Sequence, residues 1–200
     1  MRSSNPPSAG RNKRAALSLK GRGLALLAQR DHSRVELKRK LMPHARALVL
    51  ADLAAEAEAQ AVALSAPAPE STPVPSAADR VNEVLDWLQA RDYLSDARFA
   101  ESRTHARSAK FGNLRIRQEL SQHGVALTPE SAQRLKDSEF ERARELQSRK
   151  FGRSPATAAE HAKQSRFLAG RGFSTDAIRL VMRLVGWASN SDEALDGDEG

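Results

Sequence analysis

The five histidines of this 200-residue chain, at positions 32, 44, 105, 123 and 161, are dispersed. No pair has the His-Glu-x-x-His spacing that would place two imidazoles on one helical face. There is no cysteine, which removes disulfides and thiolate metal sites. Gly21-Arg22-Gly23 lacks the lysine of a phosphate-binding loop, and no Gly-x-Ser-x-Gly turn occurs. Most carboxylates stand beside basic neighbours at helical spacing, as Glu119 does four residues after Arg115, so no convergent set of titratable groups is offered. The sequence predicts no catalytic residue, no metal, no cofactor and no enzymatic activity.

The remaining chemistry is cationic. Lysine and arginine number 32 against 25 acids, a formal charge of +7. Such a balance favours a polyanionic partner, most often nucleic acid. Arg103, Arg107 and Lys110 recur at i, i+4, i+7 on one helical face, with Arg115 and Arg117 just beyond a break at Phe111-Gly112-Asn113. A second basic group holds Arg30, Arg34, Lys38 and Arg39, and a third holds Arg166 and Arg171; Arg98 is a further candidate contact. Each is also compatible with an ordinary solvated helix face. As three basic surfaces along one chain, they point to an elongated ligand engaged over length. Aromatics are only 4% of residues, which argues against one large core and against base-stacking platforms.

The elements that must carry these cations are helices. Val81, Val84, Leu85 and Leu88, and again Ile178, Val181, Met182 and Val185, fall at i, i+3, i+4, i+7. Helix starts are signalled at Ser33 (with Glu36 as a capping box), Ser76, Ser95, Thr128-Pro129, Ser138 (with Glu141), Ser154-Pro155 and Ser174. An earlier helix is expected over 15–30. The stretch Leu114 to Val125 reads as a short amphipathic helix carrying Ile116 and Leu120 and stopped by Gly124, with Val125 folded back on Leu120 in a Schellman turn. Phe99, Phe167, Phe173, Trp87 and Tyr93 fall on apolar faces or cap positions and are expected in cores.

The same marker recurs. Leu168, Gly172 and Phe173 match Leu120, Gly124 and Val125 at an offset of 48. Leu37 and Leu41 match Ile116 and Leu120 at 79, which is 48 once the 31 residues of 46–76 are set aside. That stretch turns alanine-rich and then proline-rich, and reads as an insertion: a helical extension followed by an extended part. Ala45 stands where the other copies have glycine. The period implies tandem three-helix units: a disordered basic tail over 1–14, repeat one over 15–92, repeat two over 93–137, repeat three over 138–187, and a disordered acidic tail over 188–200.

Several pieces, in order, carry a resemblance: Leu26-Leu27-Ala28-Gln29-Arg30-Asp31-His32-Ser33-Arg34 with Glu36-Leu37 and Lys40-Leu41; Tyr93-Leu94-Ser95-Asp96-Ala97-Arg98-Phe99-Ala100; Arg115 to Leu120 with Gly124-Val125; Lys150-Phe151-Gly152; and Arg166-Phe167-Leu168 with Arg171-Gly172-Phe173. Together they resemble the regulatory protein RecX family, modulators of the RecA recombinase. The match covers about 15–186 apart from the insertion. Asp92 stands where the family has glycine before Tyr-Leu, and Phe111 to Leu114 lacks the usual Gly-x-Gly-Pro.

The resemblance implies an all-α, elongated, curved array of helix-turn-helix-like repeats. It implies binding to the RecA filament on DNA, inhibition of its extension, ATP turnover and strand exchange, and no catalytic site. DNA would be touched directly or only through the filament. A monomer in the cytoplasm is expected, without membrane contact, since no apolar run of about 18 residues occurs. A helix-turn-helix DNA-binding regulator and a helical-repeat protein scaffold are the alternatives left open by the repeat alone.

Overall fold

The computed structural model describes residues 17–62 and 74–186. The basic tail, the proline-rich part of the insertion and the acidic tail lie outside them. Every regular element among the described residues is helical: α1 (Leu19–Leu27), α2 (Arg34–Val62), α3 (Ala77–Ala90), α4 (Asp96–Ser108), α5 (Asn113–Gln122), α6 (Pro129–Asp137), α7 (Glu139–Phe151), α8 (Ala158–Gly170) and α9 (Thr175–Leu184).

Three separate apolar cores gather them in threes. The first joins Leu19 of α1, Leu37, Leu41 and Ala45 of α2, Val81, Val84, Leu85 and Leu88 of α3, and Leu94 just beyond. Phe99 and Ala100 of α4 meet Ile116 and Leu120 of α5, with Val125 and Leu135, in the second. Ala143 of α7, Leu168 of α8, Phe173 and Val181 of α9 form the third. The marker is the second helix of each set: Leu37, Leu41, Ile116, Leu120 and Leu168 are all at most 1% exposed.

The expected Schellman turns form. The Val125 N–H donates to the Leu120 carbonyl (3.0 Å) and Gly124 N–H to Ser121 (2.9 Å), with Gly124 at φ +69°. Phe173 and Gly172 repeat this on Leu168 and Ala169, with Gly172 at φ +80°. In the first set the turn closes α3 instead: Tyr93 N–H donates to Leu88, and Asp92 takes φ +57°, the conformation for which the resemblance implies a glycine.

Other expectations are corrected. No turn occurs at Ala45, which is fully buried inside α2; the helix runs on through Pro43 and takes in 46–62 of the insertion. The salt bridge from Arg80 to Asp52 (2.6 Å) ties that extension to α3. Ser138 has helical dihedrals and makes no cap bond, because its hydroxyl donates to Leu135 O; Glu141 pairs with Arg144. The helix expected from Ser154 starts three residues later, where Thr157 accepts from Glu160 N–H and fixes the first turn. The first helix is shorter than 15–30, capped by Ser18. Tyr93 is 50% exposed, its ring tilted against half-buried Trp87 at 6.0 Å, so it is not a core residue.

Candidate partner-binding surface

The cations fall into two groups according to what already holds them. Arg30 sits on Glu36 with both terminal nitrogens (2.5 and 3.1 Å). Glu36 is buried, as are His32 and Ser33. The Ser33 hydroxyl accepts from Glu36 N–H (3.1 Å), but the Glu36 carboxylate turns to Arg30 and to His32 Nδ1 (3.1 Å) rather than back to the cap, so only half of the capping box forms. Burial alone would raise the Glu36 carboxyl; the bonds from Arg30 and His32 outweigh it and hold it at about 2. Burial pushes His32 below its ordinary value despite Glu36 beside it. Arg34 donates to Gln89 and to Asp86 (2.7 Å). Arg98 donates to Asp92 Oδ1 (2.9 Å) and to the carbonyls of Asp92 and Tyr93. These arginines hold turns and helices of the first two sets together.

Arg103, Arg107 and Arg115 converge instead on one carboxylate, Glu119, at 3.5, 2.9 and 3.9 Å. Arg107, Arg115 and Arg171 surround the Phe111 ring at 5.5, 5.2 and 5.7 Å from its centroid. Arg171 also lies 5.1 Å from the Phe167 ring. Four guanidiniums and one carboxylate leave +3 on a face that spans the junction between the second and third sets. A polar recess of about 350 Å³ opens there, between Arg103, Arg107, Arg115, Gln118 and Gln122. Among the described residues Lys38, Arg39, Lys110, Arg117 and Arg166 form no ion pair; Arg39, Lys110, Arg117 and Arg166 are exposed and Lys38 is half-buried.

What positions the face is the junction beneath it. Gly112 N–H donates to Arg171 O (2.9 Å) and Leu114 N–H to Gly172 O (3.0 Å). A Cβ on Gly112 would lie 2.2 Å from Phe173 N, so the backbones touch. Buried Glu139 accepts from Asn113 N–H (2.9 Å), from Ser174 N–H (3.2 Å) and from the Ser174 hydroxyl (2.8 Å). The N-termini of α5, α7 and α9 thus converge on one carboxylate, where their dipoles favour negative charge. Three residues on, Arg142 does the reverse. It donates to carbonyls at the ends of α4 and α6 (Ser108 and Phe111; Leu135) and to Asn113 Oδ1. Burial pulls its guanidinium below the ordinary value, while Glu139 pulls it up.

A parallel contact joins the first and second sets. Arg34 N–H, at the start of α2, donates to Asp96 Oδ1 at the start of α4 (2.7 Å). Val35 lies under Gly124, 2.7 Å from where a Cβ would be. His32, Ser33 and Asp96 therefore serve the fold at this end of α2, and the Asp31 carboxylate lies 3.9 Å from Arg98.

The sequence reads Phe111 only as part of a helix break and Glu119 only as the partner of Arg115, a pair that forms at 3.9 Å; neither they nor Glu139 and Arg142 are singled out as site residues. Spacing offers a hint for the first, since Arg107, Phe111 and Arg115 are four apart, but the helix break between them hides it. The approach of Arg171 depends on tertiary structure.

Fold and face define a class: an all-helical protein of repeated three-helix units whose distinctive surface is cationic, and among whose described residues no His/Asp/Glu group is arranged to hold a metal. Among the same residues no helix is long and apolar enough to cross a membrane. Comparison with known proteins makes the class specific. The family models for the second and third three-helix domains of RecX match residues 95–127 and 137–182. The regulatory protein RecX of Leptothrix cholodnii is 43% identical over 176 residues, 87% of this chain and 93% of that protein. That of Ralstonia pickettii is 37% identical over 92% and 96%. The crystal structure of RecX from Lactobacillus salivarius superposes with a TM-score of 0.53 at 17% identity, over 84% of this chain and 94% of that one, and shares the fold. The chain belongs to the RecX family of regulatory proteins.

Proposed function

We propose that this protein binds the filament of a RecA recombinase on DNA and restrains its extension, ATP turnover and strand exchange, and so modulates recombination and DNA repair. Family membership supplies the regulatory role. The observation that carries the mode of binding is the arginine face: Arg103, Arg107, Arg115 and Arg171 stand around Glu119 and Phe111 with +3 to spare. A partner's carboxylates or DNA phosphates would displace or bridge Glu119. Lys38, Arg39, Lys110 and Arg166 would add further contacts; Arg117 stands apart from the face, beside Leu120, Ser121 and Gly124 on another side of α5. Arg30, Arg34 and Arg98 support the turns behind it.

The three units, 15–92, 93–137 and 138–187, would lie in sequence along the filament as a curved monomer. A strand-exchange reaction titrated with this protein tests the reading: progressive inhibition is expected, and none at saturating protein would overturn it.

A further inference from the structure

We propose that the chain's own acidic segment, 187–200, docks on the arginine face at Glu119 and Phe111 and masks it. The inference rests on that face being anion-binding, as argued above, but not on what the external partner is. Charge complementarity is one support. Residues 187–200 hold Asp192, Glu193, Asp196, Asp198 and Glu199 and no lysine or arginine, against a face of net +3.

Geometry is the other support. The N-terminal end of α9 is anchored beside the face: Ser174 shares Glu139 with Asn113, and Gly172 accepts from Leu114, next to Arg115. The 10 residues of α9 carry the chain about 15 Å from there. From Gly186, Asp192 is within about 20 Å of extended chain and Glu199 within about 45 Å. The acids can therefore return to the arginines without any helix moving.

A tether this short gives an effective concentration on the order of 1 mM. An intrinsic dissociation constant of about 0.2 mM would then shield the face ~6-fold. External polyanions would have to outcompete it, which makes occupancy graded with salt and partner density.

Two measurements test this, both without filament or nucleic acid, so that failure here is separate from failure of the filament reading. In the first, a fluorescent peptide of sequence 187–200 is added to the full chain with its five tail acids changed to amides (D192N/E193Q/D196N/D198N/E199Q). Binding at low salt is expected. It should be at least ~5-fold weaker to the natural chain, whose own segment competes. Adding Arg107→Gln and Arg115→Gln to the amide variant should abolish it. Equal binding to the natural and amide-tailed chains would overturn the proposal, as would binding that survives the two arginine changes.

The second measurement does not depend on the arginine variants folding. The chain has no cysteine, so Asn190→Cys in the otherwise natural sequence takes a single nitroxide label. Salt-sensitive broadening of the Arg103, Arg107 and Arg115 side-chain signals, with α1 and α3 unaffected, is the expected result. Absent or uniform broadening would overturn docking at this face.

Discussion

Two buried carboxylates show how single residues are fitted to this fold, and each carries a prediction. Glu36 is held at about 2 by Arg30 and His32, against an ordinary value of 4.5. Its folded pKa is depressed, so its stabilisation is complete above about pH 4.5 and is lost as the pH falls toward 2. His32 is also depressed, which makes its neutral form the folded one; its contribution is complete above the ordinary histidine range and erodes as the pH falls below it. Both effects act in one direction. Urea midpoints should decline steadily from pH 7 to 3, and Glu36→Gln should remove about 2–3 kcal/mol at pH 7 while flattening the part of the decline below pH 4.5. An unchanged pH profile in Glu36→Gln would show that the carboxylate is not held by these partners. Glu139 instead satisfies donors at the starts of two other helices. Glu139→Ala leaves those buried donors unpaired and Arg142 without its counter-charge. A loss of about 3 kcal/mol is expected in equilibrium unfolding.

At the scale of elements, glycine positions separate turn strain from packing. Gly152 and Gly172 both have positive φ, +65° and +80°. Around Gly152 nothing lies closer than 3.9 Å to an added Cβ, whereas at Gly172 the Arg115 Cβ would be at 2.6 Å and its backbone nitrogen at 2.7 Å. Gly152→Ala should therefore cost about 1 kcal/mol, the left-handed strain alone. Gly172→Ala must also push α5 away from α8, and a cost at least ~2 kcal/mol larger is expected by thermal or urea unfolding. Equal costs would mean that the junction yields easily.

This is also where sequence reading succeeds and fails. The marker Leu120-Gly124-Val125 and its copy Leu168-Gly172-Phe173 were legible, because a Schellman turn is local and its residues are fixed by backbone conformation. The caps at Ser95, Thr128 and Ser174 were legible for the same reason. Ser138 misled because its preceding helix ends so close that its hydroxyl serves Leu135 instead. Ala45 misled because alanine permits a continuous helix where glycine would have ended it. The arginine face was legible only as a stripe with one Arg115–Glu119 pair; that Glu119 also gathers Arg103 and Arg107, and that Phe111 brings Arg171 to Arg107 and Arg115, depends on a break and a junction with no local signature.

The whole molecule is an array whose neighbours complete one another's helix ends. Asp96 caps the start of α2, and Glu139 the start of α5. The third marker helix closes itself: Thr157 accepts from Glu160 N–H, and Glu160 accepts from Ala156 N–H at 2.8 Å. With these bonds the start of α8 needs no neighbouring unit to complete it. It follows that cations at the helix ends and cations on the outer face should fail differently when changed. Arg98→Gln removes donors to Asp92 and to two carbonyls at the turn before α4. It should lower stability by up to about 1 kcal/mol and leave the salt dependence of filament binding unaltered. Arg107→Gln with Arg115→Gln removes two members of the +3 face. Glutamine is the better probe than glutamate here, since a new carboxylate beside Glu119 would add repulsion to the loss of a contact. If phosphates are the partner, each lost contact should reduce the slope of log affinity against log salt by about 0.7–0.9. A drop of about 1.4–1.8 in the double variant, with the melting temperature held within a few degrees, would assign the face to DNA backbone. Weaker binding with a slope reduced by much less would assign it to carboxylates of the recombinase, because only phosphates on nucleic acid release a condensed counterion for each contact made.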